Sequence, residues 1–128
     1  MPKEVVRTEK APAPFQGAPY SQGIVLGDLV FVSGQVAVDP ETNEVVEGGI
    51  REQTERVLLN IAAVLEAAGS SMDKLVKTTI FLVDFDQFAE MNDVYAAHVG
   101  DTPPARATVE IKSLPSGVLI EIEAIAHR

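Results

Sequence analysis

The sequence predicts an α+β protein, a mainly antiparallel sheet with two helices packed on one face. Three observations carry that prediction. Apolar and β-branched residues alternate or cluster as strands at 24–33, 75–83, 105–112 and 118–126. Two stretches, 50–68 and 86–99, repeat apolar residues at helical spacing instead. The order is strand, strand, helix, strand, helix, strand, strand, which layers helices against a sheet. At 128 residues the chain fits one domain, residues 1–128, long enough to bury a core without staples.

Each element has a local cause. Pro2, Pro12, Pro14 and Pro19 leave the first 19 residues extended, with a short edge strand at most around Val5-Val6-Arg7. Ile24-Val25-Leu26 and Leu29 to Ser33 flank Gly27-Asp28, a glycine-first pair suited to a type II′ hairpin turn. Leu29 to Val32 is apolar at every position, which predicts a central strand covered on both faces. Asp39 to Asn43 reads as a loop. Ile50, Val57, Leu58, Ile61, Val64, Leu65 and Ala68 line one face of a helix of about five turns, stopped by Gly69. Asp84 and Asp86 offer N-caps to a second helix whose inward face is Phe88, Met91, Tyr95 and Val99.

The last two strands are read as an antiparallel hairpin closed by Leu114-Pro115-Ser116-Gly117. In the first, Ala107, Val109 and Ile111 alternate with Arg106, Thr108, Glu110 and Lys112. A tight turn would then set Arg106 and Glu121 on the same, more polar face. Such a pair is either a solvated sheet surface or the two halves of a site. That face also carries Leu119 and Ile125, a mixture suited to subunit contact, so an oligomer with polar sites at its seams is expected.

Composition narrows the function. A net charge of −9 repels phosphate backbones and anionic membrane surfaces. The absence of cysteine removes disulfides, thiolate metal sites and a cysteine nucleophile. No apolar run reaches membrane-spanning length and the N-terminus lacks a signal-peptide core, so a soluble cytoplasmic protein is expected. His98 and His127 are too far apart in sequence to suggest a metal site. His98 reads as a helix-end residue favoured by the dipole. Tyr20 is either a surface ring or a pocket wall, and Ser33 either a backbone cap or a ligand contact.

A set of short motifs decides among these readings. They are Pro19-Tyr20-Ser21-Gln22, Phe31-Val32-Ser33-Gly34-Gln35, Gln53-Thr54 with Asn60-Ile61, Ala68-Gly69, and Val76-Lys77-Thr78-Thr79. Met91-Asn92-Asp93-Val94-Tyr95, Pro104-Ala105-Arg106, Leu114-Pro115 and Ile120 to Ala126 complete it. Each alone is weak, but in this order and over nearly the whole chain the sequence resembles the RidA/YjgF family of reactive enamine/imine deaminases.

The resemblance implies a chorismate-mutase-like fold assembled as a homotrimer with pockets between subunits. It implies cofactor-independent hydrolysis of short 2-imino acids, those derived from 2-aminoacrylate and 2-aminocrotonate, to 2-oxo acids and ammonia. Arg106 matches the residue that grips the substrate carboxylate, which suits a planar guanidinium. Glu121 matches the group that orients or activates water. Tyr20, Ser33 and Asn92 match pocket residues. Thr108 stands where many deaminase members carry cysteine, keeping a small polar side chain in a changed lining. The segment from Ala96 to Pro103 is shorter than in many members and lacks their aromatic residues. The rival reading is a non-catalytic trimeric module that binds small carboxylates, in a regulatory or chaperone-like role. RNA cleavage, described for some relatives, fits poorly with the acidic charge.

Overall fold

The computed structural model describes residues 1–128. In chain order the strands are β1 (Glu4–Val6), β2 (Gly23–Leu26), β3 (Leu29–Gln35), β4 (Val38–Asp39) and β5 (Glu44–Val45). After helix α1 (Ile50–Ala67) come β6 (Leu75–Leu82), helix α2 (Phe88–Val99), β7 (Ala105–Glu110) and β8 (Ile120–His127). Six strands form one sheet in the order β1-β2-β3-β8-β6-β7, antiparallel throughout except for the parallel pair β6/β7. The Asp39 to Asn43 loop proves to be the connection of a small separate hairpin, β4/β5.

Local chemistry places most of these elements as expected. Leu26 pairs with Leu29 across Gly27, which holds a φ of 60° that only its missing side chain makes inexpensive, while Asp28 stays at negative φ. Helix α1 begins where Glu52 accepts a hydrogen bond from the Gly49 N–H, and it ends at Gly69, in the left-handed region. Asp84 caps the 3-10 turn Phe85–Gln87 that leads into α2. The two helices are tied by Arg51 to Glu90 and Asp93, and by His98 to Glu55 at 2.5 Å. His98 is therefore an interhelix partner as well as a helix-end residue. His127 belongs to β8, opposite Leu29.

The expected hairpin of the last two strands does not form. Strand β6 lies between them, paired in parallel with β7 on one side and antiparallel with β8 on the other. The local turn signal at 114–117 is real, a one-turn helix of Pro115–Gly117, but it opens a longer path to a non-adjacent position. The stretch β6-α2-β7 is instead a parallel pair joined by a crossover helix.

That topology reverses the expected placement of Arg106 and Glu121. Cross-strand partners share a face. One row runs Val6, Gly23, Val32, Ala124, Thr78, Arg106 across all six strands. Thr78 in this row is fully buried and bonds Tyr95 of α2, so the row faces the helices. Glu121 belongs to the opposite face, beside Phe81, whose other partner is Val109. Arg106 and Glu121 thus project from opposite faces of the sheet in one chain.

The core fills the helix side: Val57, Leu58, Ile61, Val64 and Leu65 of α1 pack on Val30, Ile80, Ile120 and Ile122 of the sheet. Buried polar groups on α1 are satisfied, Asn60 donating to the carbonyls of Val36 and Val38 and Gln53 accepting from the Leu119 N–H. The other face has no such cover within the chain. Leu29 and Phe31 there are 41 % and 37 % exposed, so β3 is central in the sheet but covered on one side only.

Candidate active site

The sheet and α2 together hold Arg106. Phe88, Asn92 and Tyr95 lie at positions i, i+4 and i+7 of α2, one stripe of the helix. The guanidinium carbon sits 5.5 Å from the Phe88 ring centre and 5.0 Å from that of Tyr95. One terminal nitrogen donates to Asn92 Oδ1 at 2.8 Å. No carboxylate lies within 4.0 Å of Arg106, so its charge is oriented by rings and an amide and left unneutralised. Tyr95 is fixed in turn by a 2.6 Å hydrogen bond to Thr78. Burial raises the Tyr95 phenol pKa, against the lowering effects of Thr78 and Arg106, so it stays neutral. A cavity of about 300 Å³ opens here, bordered by Asn92, Tyr95, Pro103 and Arg106.

Thr108 lies two residues beyond Arg106 on the same face, opposite Ile80. Its hydroxyl oxygen is buried and has no hydrogen-bond partner. A buried polar atom left so is uncommon.

Glu121 is positioned by a different device. Between Val32 and Gln35 the β3/β8 register slips, two residues of β3 lying opposite one of β8. This bulge holds Ser33 and Gly34. The Glu121 carboxylate lies over Gly34 so closely that a Cβ there would come within 2.5 Å of Oε2. Burial is the main cause raising the Glu121 pKa, and the neighbouring charge of Glu123 adds to it. No cation offsets either effect, so this carboxyl is more basic than an ordinary surface glutamate.

Ser33 donates its hydroxyl to the Ser21 carbonyl at 2.5 Å, fastening the bulge to the segment before β2. Tyr20 accepts a 2.6 Å hydrogen bond from the Phe15 N–H, and its ring is partly exposed beside Gly34 in a larger cavity. The chain therefore gathers the sequence candidates into two groups. Arg106, Asn92 and Thr108 form one; Tyr20, Ser33 and Glu121 form the other, across the sheet. Phe88 and Tyr95 read in the sequence only as core residues; their seven-residue spacing about Asn92 was the available sign of a shared task.

The comparisons with known proteins agree with this architecture. Residues 8–128 match the family model described as Endoribonuclease L-PSP. A RutC family protein of Pyrococcus abyssi is 53 % identical over 128 residues, covering 100 % of this chain and 99 % of that one. Reactive Intermediate Deaminase A of the Arabidopsis thaliana chloroplast is 45 % identical over 124 residues, 97 % of this chain and 65 % of that protein. Among solved structures, Escherichia coli TdcF with bound serine superposes with a TM-score of 0.90 at 38 % identity, covering 98 % of each chain. These define a class of small α+β proteins that includes named deaminases of reactive intermediates. The chain belongs to that class as a member of the YjgF/RidA/RutC family.

Proposed function

We propose that the protein hydrolyses short 2-imino acids, in equilibrium with their enamines, to 2-oxo acids and ammonia. The observation that carries this reading is the unneutralised, oriented guanidinium of Arg106. It has donors free for a carboxylate, and a bidentate grip would fix the substrate plane. A relative named for reactive-intermediate deamination, and another solved with bound serine, support a small amino-acid-like ligand.

Glu121 supplies the complementary chemistry. Its raised pKa makes it a better proton acceptor for water than an ordinary glutamate. Water adds to the carbon of the C=N bond while its proton passes to Glu121. The proton is returned to nitrogen to give the carbinolamine; its hydroxyl proton then passes to nitrogen as the C–N bond breaks and the C=O bond forms, and ammonia leaves. Arg106 holds the carboxylate and Asn92 holds Arg106. Tyr20, Ser33 and Thr108 line the space for the small substrate or its water. No step calls for a metal or cofactor.

Because Arg106 and Glu121 occupy opposite faces of one chain, a site that uses both takes one from each of two copies. The exposed apolar face around Leu29, Phe31 and Val109 suits such contact, and a homotrimer with three seam sites is the assembly proposed. Each copy is proposed to be a single domain of residues 1–128.

The test generates the imine with threonine or serine dehydratase while semicarbazide competes to trap it. Suppression of semicarbazone by wild type and not by Arg106→Ala is the expected result. Failure of wild type to suppress it with either amino acid would overturn the proposal. Glu121→Gln separates catalysis from mere binding: it should abolish turnover and retain 2-oxobutanoate.

A further inference from the structure

Residues 8–20 form a strap ahead of β2 in which Ala11 alone is buried, at 2 % exposure. Pro12, Pro14 and Pro19 remove three N–H donors from it. The strap's own hydrogen bonds are short-range: Gly17 to Pro14, Ala18 to Phe15, Tyr20 to Ala18, Lys10 to Thr8, and the Phe15 N–H to the Tyr20 hydroxyl. Every hydrogen bond from the strap to the rest of the chain goes to one side chain, that of Gln22.

Gln22 is buried, at 5 % exposure. Its Oε1 accepts from the Thr8 N–H at 2.8 Å, and its Nε2 donates to the Thr8 carbonyl at 3.0 Å. The side-chain amide thus pairs with Thr8 as one rung of a sheet would. Nε2 also reaches the carbonyls of Ala11 at 3.1 Å and Pro12 at 2.9 Å, so its two hydrogens serve three acceptors. A carboxylate could not make these bonds, because it would face the three carbonyls with no hydrogen to give.

The main chain beside this amide is bonded to a different part of the site. The Gln22 carbonyl accepts from the Ser33 N–H at 3.0 Å, and the Ser21 carbonyl from the Ser33 hydroxyl. Ser33 belongs to the β3 bulge, whose Gly34 lies beneath the Glu121 carboxylate. Tyr20, at the end of the strap, shares a cavity wall with Gly34 and is held by Phe15 of the strap's own turn. Gln22 therefore grips the bulge with its main chain and the strap with its side chain.

We infer that Gln22 is a positioning residue, setting Tyr20 against Glu121 by latching the strap to the β3 bulge. The inference rests on the proposed deaminase reading and adds to it a residue that acts through Tyr20. Loss of the amide leaves the Ser33 bonds in place and frees the strap, so Tyr20 moves while Glu121 stays.

The experiment compares wild type with Gln22→Met, which keeps a long unbranched side chain and removes all four bonds. Dehydratase-coupled turnover of the short imine should fall by about tenfold or more, the size of effect that a small misplacement produces, with the acid limb of the pH profile unmoved. Hydrogen exchange should rise in residues 8–20 and stay at the wild-type rate in α1. Tyr20→Ala completes a double-mutant cycle: the double variant should be no slower than Tyr20→Ala alone. Turnover of a folded Gln22→Met within about twofold of wild type overturns the inference, as do losses that multiply in the double variant, or exchange that rises equally in α1. If Gln22→Met does not fold, Gln22→Asn, whose amide is one methylene too short to reach all four partners, takes its place under the same criteria. Absence of wild-type turnover counts against the deaminase reading itself. The cycle then runs on calorimetric binding of 2-oxobutanoate, where non-additive weakening supports the latch and absent or unaltered binding overturns it.

Discussion

Replacing Arg106 with alanine tests the functional reading where its magnitude can be worked out. The guanidinium stands within 5.5 Å and 5.0 Å of two ring centres and gives one hydrogen bond to Asn92. Exposed contacts of this kind are worth about 0.5–1 kcal/mol each, so the folded state should lose no more than about 3 kcal/mol. A charge-assisted grip on a carboxylate is worth about 2–5 kcal/mol, which corresponds to a fall in kcat/KM of about 30-fold to a few thousand-fold. Activity should therefore fall while the variant still folds, and by more than its loss of stability explains. Arg106→Lys keeps the charge and loses the planar fork, and should fall between the two. The assay is dehydratase-coupled turnover at several imine fluxes, with chemical denaturation of each variant alongside. Turnover of Arg106→Ala within about threefold of wild type, at unchanged stability, would refute the assignment.

Further outcomes follow from the same geometry. Glu121→Gln should abolish turnover and yet raise thermal stability at neutral pH. A carboxyl whose folded pKa is raised by burial stabilises the fold when protonated and loses that contribution as pH climbs through its folded value. Accordingly, the acid limb of kcat/KM should lie above the ordinary carboxylate range, and Glu123→Gln should move it down; an unmoved limb would exclude Glu121 as the titrating base. Gly34→Ala should fold, since the nearest atoms the new methyl group meets belong to the flexible Glu121 side chain, but it should displace that carboxylate and reduce kcat more than it raises KM. Tyr95→Phe leaves the buried Thr78 hydroxyl without its partner and should cost about 1–3 kcal/mol in denaturant titration, while retaining the ring beside Arg106 and most activity. Asn60→Ala, which strips a donor from two carbonyls, should cost about 2–4 kcal/mol in the same measurement and leave the site chemistry alone.

The helices and the first hairpin were legible because their signals are local: apolar spacing from Ile50 to Ala68 and a glycine-first turn at Gly27. Strand pairing is not local. The turn residues from Leu114 to Gly117 carried an ordinary hairpin signal, and nothing in them announces that β6 lies between their flanking strands. A strand, a twelve-residue helix and a strand in succession was the better cue, because parallel partners need such a crossover. That one exchange moved Arg106 to the helix face and parted it from Glu121. Motif order identified the candidate residues, whereas the Ser33-Gly34 bulge and the rings beside Arg106 arise from tertiary packing.

The bare second face of the sheet has a consequence in mass action. Under the proposed assembly, copies that meet through Leu29, Phe31 and Val109 bury apolar surface that a solitary chain leaves in water, so stability depends on protomer concentration. Specific activity, drawn from sites shared between chains, would then fall on dilution before any chain unfolds. Heating a concentrated sample and a dilute one would give different melting temperatures, and an aged dilute stock would regain activity on being concentrated.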